Sequence, residues 1–154
     1  MMKWIATVCA AAAMVAFSGC ASVPSAPAAV EAAAKQFAPK EGKANVYVYR
    51  NETLGAAITM PVALDGQQAG ETAAKTFFAF EVEPGQHELA SEAENTSKLD
   101  LTVEAGKSYY VWQEVKMGVL MAGSKLQQVD EAIGKAGVLE CKMIDSPLPA
   151  PGAN

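Results

Sequence analysis

Lys98-Leu-Asp-Leu-Thr-Val-Glu104 alternates without a break, with Leu99, Leu101 and Val103 on one side and Lys98, Asp100, Thr102 and Glu104 on the other. Successive side chains of a strand point to opposite faces, so this period of two predicts a strand with one buried and one wetted face. The pattern extends in both directions. Upstream, the polar tip Glu94–Ser97 leads back to Gln86–Ala93, which opens after the turn signal Pro84-Gly85. Downstream, Ala105-Gly106-Lys107 turns the chain into Ser108–Val115, SYYVWQEV. Farther back, Thr76–Val82 (TFFAFEV) puts Phe78, Phe80 and Val82 on one face, and Met60–Leu64 runs into Asp65-Gly66. Asp-Gly is a hairpin signal because both residues accept positive φ. Ala44–Arg50 alternates Val46 and Val48 with Tyr47 and Tyr49. Turns recurring about every ten residues predict a mainly β domain, an antiparallel β-sandwich of about seven strands.

The end of the domain reads differently. Val119–Val129 is a further strand, interrupted at Gly123. Asp130 then suits a helix N-cap, followed by Glu131-Ala132-Ile133 and, beyond Gly134, by Ala136–Ile144. Val129, Ile133, Leu139 and Met143 are expected to face the sheet from this one C-terminal helix, although Gly134 and Gly137 each cost about 1 kcal/mol there.

The chain of 154 residues has room for one domain, and its formal charge of −5 argues against a nucleic-acid partner. Cys9, Cys20 and Cys141 have neither zinc-site nor disulfide-framework spacing, and a single histidine excludes a His-rich cage, so no cofactor is expected.

The N-terminus supplies an address. One lysine, Lys3, precedes the uncharged run Trp4–Phe17, WIATVCAAAAMVAF. Fourteen residues are too few to span a bilayer, which takes about 20. They suit the apolar part of a secretion signal. Its end, Phe17-Ser18-Gly19-Cys20, resembles the lipobox of bacterial lipoproteins, with phenylalanine where leucine is usual. In that motif small residues enter the protease cleft and the thiol takes up a diacylglyceryl group. The resemblance implies lipid on Cys20, a signal peptide over 1–19 and, with alanine rather than aspartate at 21, an outer-membrane destination facing the periplasm. Residues 20–43 are then the anchor and an Ala/Pro-rich flexible tether, with Pro24, Pro27 and Pro39 preventing a continuous helix. A coil of this length would reach roughly 25–30 Å. Within it, Glu31 and Lys35 are spaced to pair over a turn of helix. The domain is expected over 44–144 and a disordered Pro-rich tail over 145–154.

Ala34-Lys35-Gln36-Phe37, Tyr47-Val48-Tyr49-Arg50, Pro61-Val62 with Asp65-Gly66, Pro84-Gly85-Gln86-His87 and Ala105-Gly106-Lys107 with Tyr109-Tyr110 occur in that order. Together they resemble a widespread family of small bacterial lipoproteins built on one domain of unknown function. The D-G … P-G-x-H rhythm is also similar to PEGA-type β-sandwich modules. The resemblance implies a lipid-anchored envelope domain and brings no catalytic residues with it.

No catalytic constellation stands out. His87 lacks a placed nucleophile and an orienting acid, and reads as a structural histidine bonded near the Pro84-Gly85 turn. Glu81/Glu83 and Glu92/Glu94 share strand faces, as a glycosidase pair would, but alternating acids also mark a solvated face. Cys141, between Leu139 and Met143, reads as a buried thiol. Tyr47, Arg50, Tyr110 and Trp112 are the candidates for meeting a partner, with Arg50 able to grip a carboxylate or phosphate, although aromatics equally fill strand interiors. The function expected is a non-enzymatic binding or accessory module at the outer membrane. It would be held there by lipid and meet an envelope protein or the cell wall. The alternative is a periplasmic hydrolase of unrecognised type.

Overall fold

β1 (Ala44–Arg50) is buried along its whole length, which a strand with only one apolar face would not be. Its alternation sorts two different apolar sets. Val46 and Val48 join a core with Val62, Phe78, Phe80, Leu89, Leu101, Val103 and Val111, whereas Tyr47 and Tyr49 join a second one with Phe77, Tyr110, Val138 and Met143. The computed structural model, which describes residues 19–153, accordingly has three layers.

The middle layer is a five-stranded sheet. β1 lies between β4 (Thr76–Val82) and β7 (Ser108–Met117), with β8 (Ala122–Val129) at one edge and the short β9 (Lys142–Met143) at the other. The second sheet, in the order β3-β2-β5-β6, is built from β2 (Met60–Leu64), β3 (Gln67–Thr72), β5 (Gly85–Glu92) and β6 (Thr96–Val103). The first core fills the space between the sheets. The second lies under two helices, α1 (Ala28–Ala34) and α2 (Glu131–Leu139).

The β-sandwich and its C-terminal helix are as the sequence predicts, with differences of physical interest. The pairing is not wholly antiparallel, since β1 runs parallel to β7 and β4 parallel to β9. β3, which carries little apolar patterning, is the return strand that Asp65-Gly66 implies, and those two residues take φ values of 51° and 78°. β8 is not interrupted at Gly123, which pairs with Lys116.

Asp130 caps α2 by accepting from Ile133 N, but Ile133 and Leu139 point outward, 56% and 57% exposed. The sheet-facing positions are Gly134, Gly137 and Val138. A Cβ on Gly134 would collide with the Tyr110 ring, and one on Gly137 with the Tyr49 ring. Large residues on the strands thus demand their complement on the helix, which overrides the helix's own preference.

The expectation of a flexible tether over 20–43 is corrected. Residues 21–37 form a strap docked on the domain: Ala21 N donates to Ala56 O, Ala26 N to Met143 O, and Ser25 bridges Ile144. α1 then lies against the sheet with Ala34 fully buried and Val30 and Phe37 packed beside it. The Glu31–Lys35 pair forms at 2.7 Å, and Lys35 also donates to Cys141 O while Glu31 accepts from Met143 N. Small side chains let this segment approach closely enough to bond to β9, so its alanines act as packing surface. The disordered tail is corrected for the same reason. Asp145 N donates to Pro24 O, Pro149 O accepts from Glu81 N along the exposed side of β4, Leu148 packs on the inner core and Pro151 is buried. Covering a free strand edge satisfies backbone groups that would otherwise recruit another chain.

Because β1 and β7 run parallel and their neighbours antiparallel, the turns gather at two ends. Residues 51–59, 93–95 and 118–121 lie at the end where β1 and β7 finish. Asp65-Gly66, Glu83–Pro84 and 104–107 lie at the other. The strap begins at the first end, beside Ala56, and reaches the second, where Ser108 Oγ donates to Phe37 O.

Candidate functional site

The four residues picked out as partner contacts do not form an open surface. Tyr47, Arg50 and Tyr110 are fully buried and Trp112 is half-buried. Tyr47 and Tyr110, opposite each other across β1 and β7, stack with ring centroids 5.2 Å apart under Phe37. Tyr47 Oη donates to Ala34 O at 2.8 Å, which fixes the strap. Burial pushes the phenol of Tyr47 above its ordinary range and that of Tyr110 up to about 12, so both stay neutral.

Arg50 does grip oxygens, but they belong to its own chain. Nη1 donates to Ile58 O at 3.0 Å, and Nη2 to Leu54 O at 3.2 Å and Gly55 O at 2.5 Å. A guanidinium supplies five donors in a fixed fork, which suits three converging carbonyls better than any other side chain. Burial lowers its pKa, partly offset by Glu52. The consequence is a 51–58 loop held in one shape, and that loop receives Ala21.

The other candidates are also occupied. His87 bridges two acceptors, Asp65 Oδ2 at 2.6 Å and Glu83 O at 2.7 Å, while Asp65 Oδ1 accepts from Glu88 N. That is the structural histidine the turn signal predicts. Glu83 pairs with Lys43, and Glu81 is half-buried beside Pro149. Cys141 is buried, its thiol pushed up to about 12 chiefly by desolvation, and Sγ faces Arg50 O at 3.7 Å. Among the described residues no three His, Cys, Asp or Glu side chains cluster as a metal site would.

Sequence reasoning missed a buried polar relay between the sheets. Thr72 Oγ1 donates to Gln113 Oε1 at 2.5 Å, Gln113 Nε2 donates to Ser91 Oγ at 2.6 Å, and Ser91 and Ser124 share a proton bond at 2.6 Å. These residues come from β3, β7, β5 and β8, so the relay fixes how the layers register. No sequence signal marks it, since each member has a charged residue beside it (Glu71, Glu92, Glu114 and Lys125) and reads as part of a polar stretch.

The feature that stands open is the β7–β8 tip. Met117, Val119, Leu120 and Met121 are 85%, 91%, 90% and 68% exposed, with Leu54 beside them. They border a shallow groove of about 390 Å³ whose other wall is Leu54-Gly55. The loop beneath is well made. Glu94 on the neighbouring tip accepts from Val119 N and Leu120 N at 2.9 Å each and from Met121 N at 2.6 Å, which lowers the Glu94 pKa. Asn95 adds two bonds to Ser124, donating to its carbonyl and accepting from its N–H, both at 2.8 Å. The backbone donors of Val119, Leu120 and Met121 are therefore satisfied by the neighbouring tip, and the apolar side chains are turned out.

Cys20 opens this same end, exposed, one peptide unit from the Ala21–Ala56 bond. The signal-peptide run itself lies outside the described residues. Among those described, no helix is long and apolar enough to cross a membrane.

Residues 40–124 match the family described as protein of unknown function DUF2846. An uncharacterized protein of Haemophilus influenzae (strain ATCC 51907 / DSM 11121 / KW20 / Rd) is 35% identical over 128 residues, 82% of this chain and 76% of its own length.

Proposed function

The chain belongs to the DUF2846 family, and from that premise we propose that it is a lipid-anchored protein of the cell envelope, acylated on Cys20. In this reading it is a non-enzymatic binding or accessory module at the periplasmic side of the outer membrane. The observation that supports it most is an exposed Cys20 directly behind a short apolar run and small residues, at the head of a strap whose backbone is bonded to the domain. Each methylene buried in lipid contributes about 0.8 kcal/mol, so one chain holds weakly and two or three hold firmly.

A docked strap changes what the anchor does. A flexible leash would let the domain sample all orientations within its reach. A strap bonded at Ala21 and Ala26 keeps the body close to the lipid and restricts its tilt. Specific binding would then fall to surfaces away from the acylated end. Glu81 and Glu83 do line one shallow recess with Asp65 and His87, but each is already engaged: His87 with Asp65 and Glu83 O, Glu81 with Lys40 and Glu83 with Lys43, which lends the hydrolase alternative little support.

The test is metabolic labelling with palmitate in a Gram-negative host. Label is expected in the wild-type chain and absent from Cys20→Ala, with Cys20 as the first residue of the mature protein. Equal labelling of both chains, or a mature terminus elsewhere, would overturn the reading.

A further inference from the structure

We propose that the β7–β8 tip, Met117–Met121, is a second membrane contact: it dips into the lipid interface beside the acylated Cys20 and fixes the domain upright on the bilayer. This rests on the lipid-anchor reading and extends it from tethering to orientation.

Position comes first. Ala21 is bonded to Ala56, and Gly55 next to it faces the tip across the groove. Cys20 lies one residue farther, about 3.8 Å along the chain. Acyl chains leaving Cys20 therefore start at the same end of the sandwich as the tip.

Chemistry comes second. Four large apolar side chains project from one turn at 68% exposure or more. A contiguous apolar projection of this kind on a soluble domain marks an interaction surface. The turn between Lys116 and Lys125 has no ionisable side chain, and Lys116, paired with Glu114 at 2.6 Å, sits just behind it. That order, apolar tip with a lysine behind, suits an interface of acyl chains under phosphate headgroups.

Backbone satisfaction is the third argument. A loop entering an apolar layer must not carry free N–H groups. Here Glu94 takes those of Val119, Leu120 and Met121. Gly118 makes the arrangement possible, since a Cβ there would strike both Glu94 and Met121 O.

The experiment uses the full chain, purified acylated and reconstituted into vesicles of phosphatidylethanolamine and phosphatidylglycerol. Leu120→Cys receives an environment-sensitive NBD label; Cys141 is buried and Cys20 is consumed by lipid, so the label is site-specific. Lys107→Cys is the control at the opposite end of β7, a ten-residue strand roughly 30 Å long. NBD emission is expected to rise several-fold and shift to the blue at residue 120, and to stay at its aqueous level at 107. In a second arm, Leu120→Asp with Met121→Asp, both at exposed positions, is expected to stay folded and acylated yet to transfer between vesicles several-fold faster. A palmitate-labelled protein that floats with vesicles while residue 120 reads water would overturn this proposal and leave the anchor standing. Lack of palmitate in the wild-type chain would overturn both. A crosslink between residues 120 of two chains, with no lipid-dependent emission, would overturn it in favour of self-association.

Discussion

The two ends of the sandwich are finished in opposite ways. At the Asp65-Gly66 end the turns are closed by pairs of polar side chains: His87 with Asp65 at 2.6 Å, Lys107 with Glu104 at 2.5 Å, and Lys43 with Glu83. At the Cys20 end two charged groups bond backbone instead. Arg50 holds the carbonyls of the 51–58 loop, and Glu94 holds the amides of the 118–121 loop. The outward surface left there is Leu54, Met117, Val119, Leu120 and Met121. A folded domain can satisfy a turn with a pair of polar side chains or with a side chain that bonds the turn's own backbone. Using the second at one end alone leaves that end apolar without leaving it floppy.

The largest effect should come from the residue that shapes the apolar end. Arg50→Met keeps most of the volume but removes the guanidinium donors to the carbonyls of Leu54, Gly55 and Ile58, of which Gly55 O keeps Ile58 N. A loss of about 2–3 kcal/mol is expected, the upper scale for acceptors deprived of a charged donor. Urea unfolding should show the fall, and hydrogen exchange should quicken first in 51–58 and at Ala21. An unchanged urea midpoint would mean that the guanidinium does not hold this end together.

At the charged end the expected change is smaller, because water can replace what is lost. His87→Ala removes the bridge between Asp65 and Glu83 and should cost about 1 kcal/mol. Palmitate labelling and vesicle flotation should not change. If flotation fell while the protein stayed folded, the separation of roles between the ends would be wrong.

Much of this was legible in the sequence. Alternation in β1, β4, β6 and β7 assigns faces correctly, and Pro84-Gly85, Asp65-Gly66 and Asp130 mark real turns and a real cap. The misreadings share a cause: the partner lay far away along the chain. Gly134 and Gly137 look like helix faults until the rings of Tyr110 and Tyr49 are set against them. Residues 21–37 look like a linker because alanine has no periodic signature, and the groups that the strap bonds, from Tyr47 and Ala56 to β9 and Ile144, lie far along the chain. Arg50 looked like a surface grip because arginine is seldom buried, and the carbonyls that neutralise its cost belong to a loop without a motif. Val119–Met121 read as strand because valine and leucine favour strands. The better signal was the pair of glycines, Gly118 and Gly123, bracketing apolar residues inside a hairpin.

The smallest effect on stability should be the most informative about the tip. Glu94 offers two oxygens: Oε1 takes Val119 N, and Oε2 takes both Leu120 N and Met121 N. Glu94→Gln keeps the length but leaves one accepting oxygen, so at least one of those amides must lose its partner. The carboxylate is exposed, and the global midpoint should hardly move. Exchange at residues 119–121 should nonetheless quicken several-fold at neutral pH, while the β7–β8 ladder stays protected. Acid should mimic the substitution. These amides hold the Glu94 carboxyl below its ordinary value of 4.5, so its contribution is complete above that value and disappears as pH falls through the lowered one. Wild type should therefore lose protection at the tip under acid, and Glu94→Gln should show no such step. Were both chains to follow the same pH profile, Glu94 would not be what orders the loop. The tip would then have to pay its ordering entropy on entering any interface, and an apolar end held rigid by charge bonded to backbone would no longer describe this molecule.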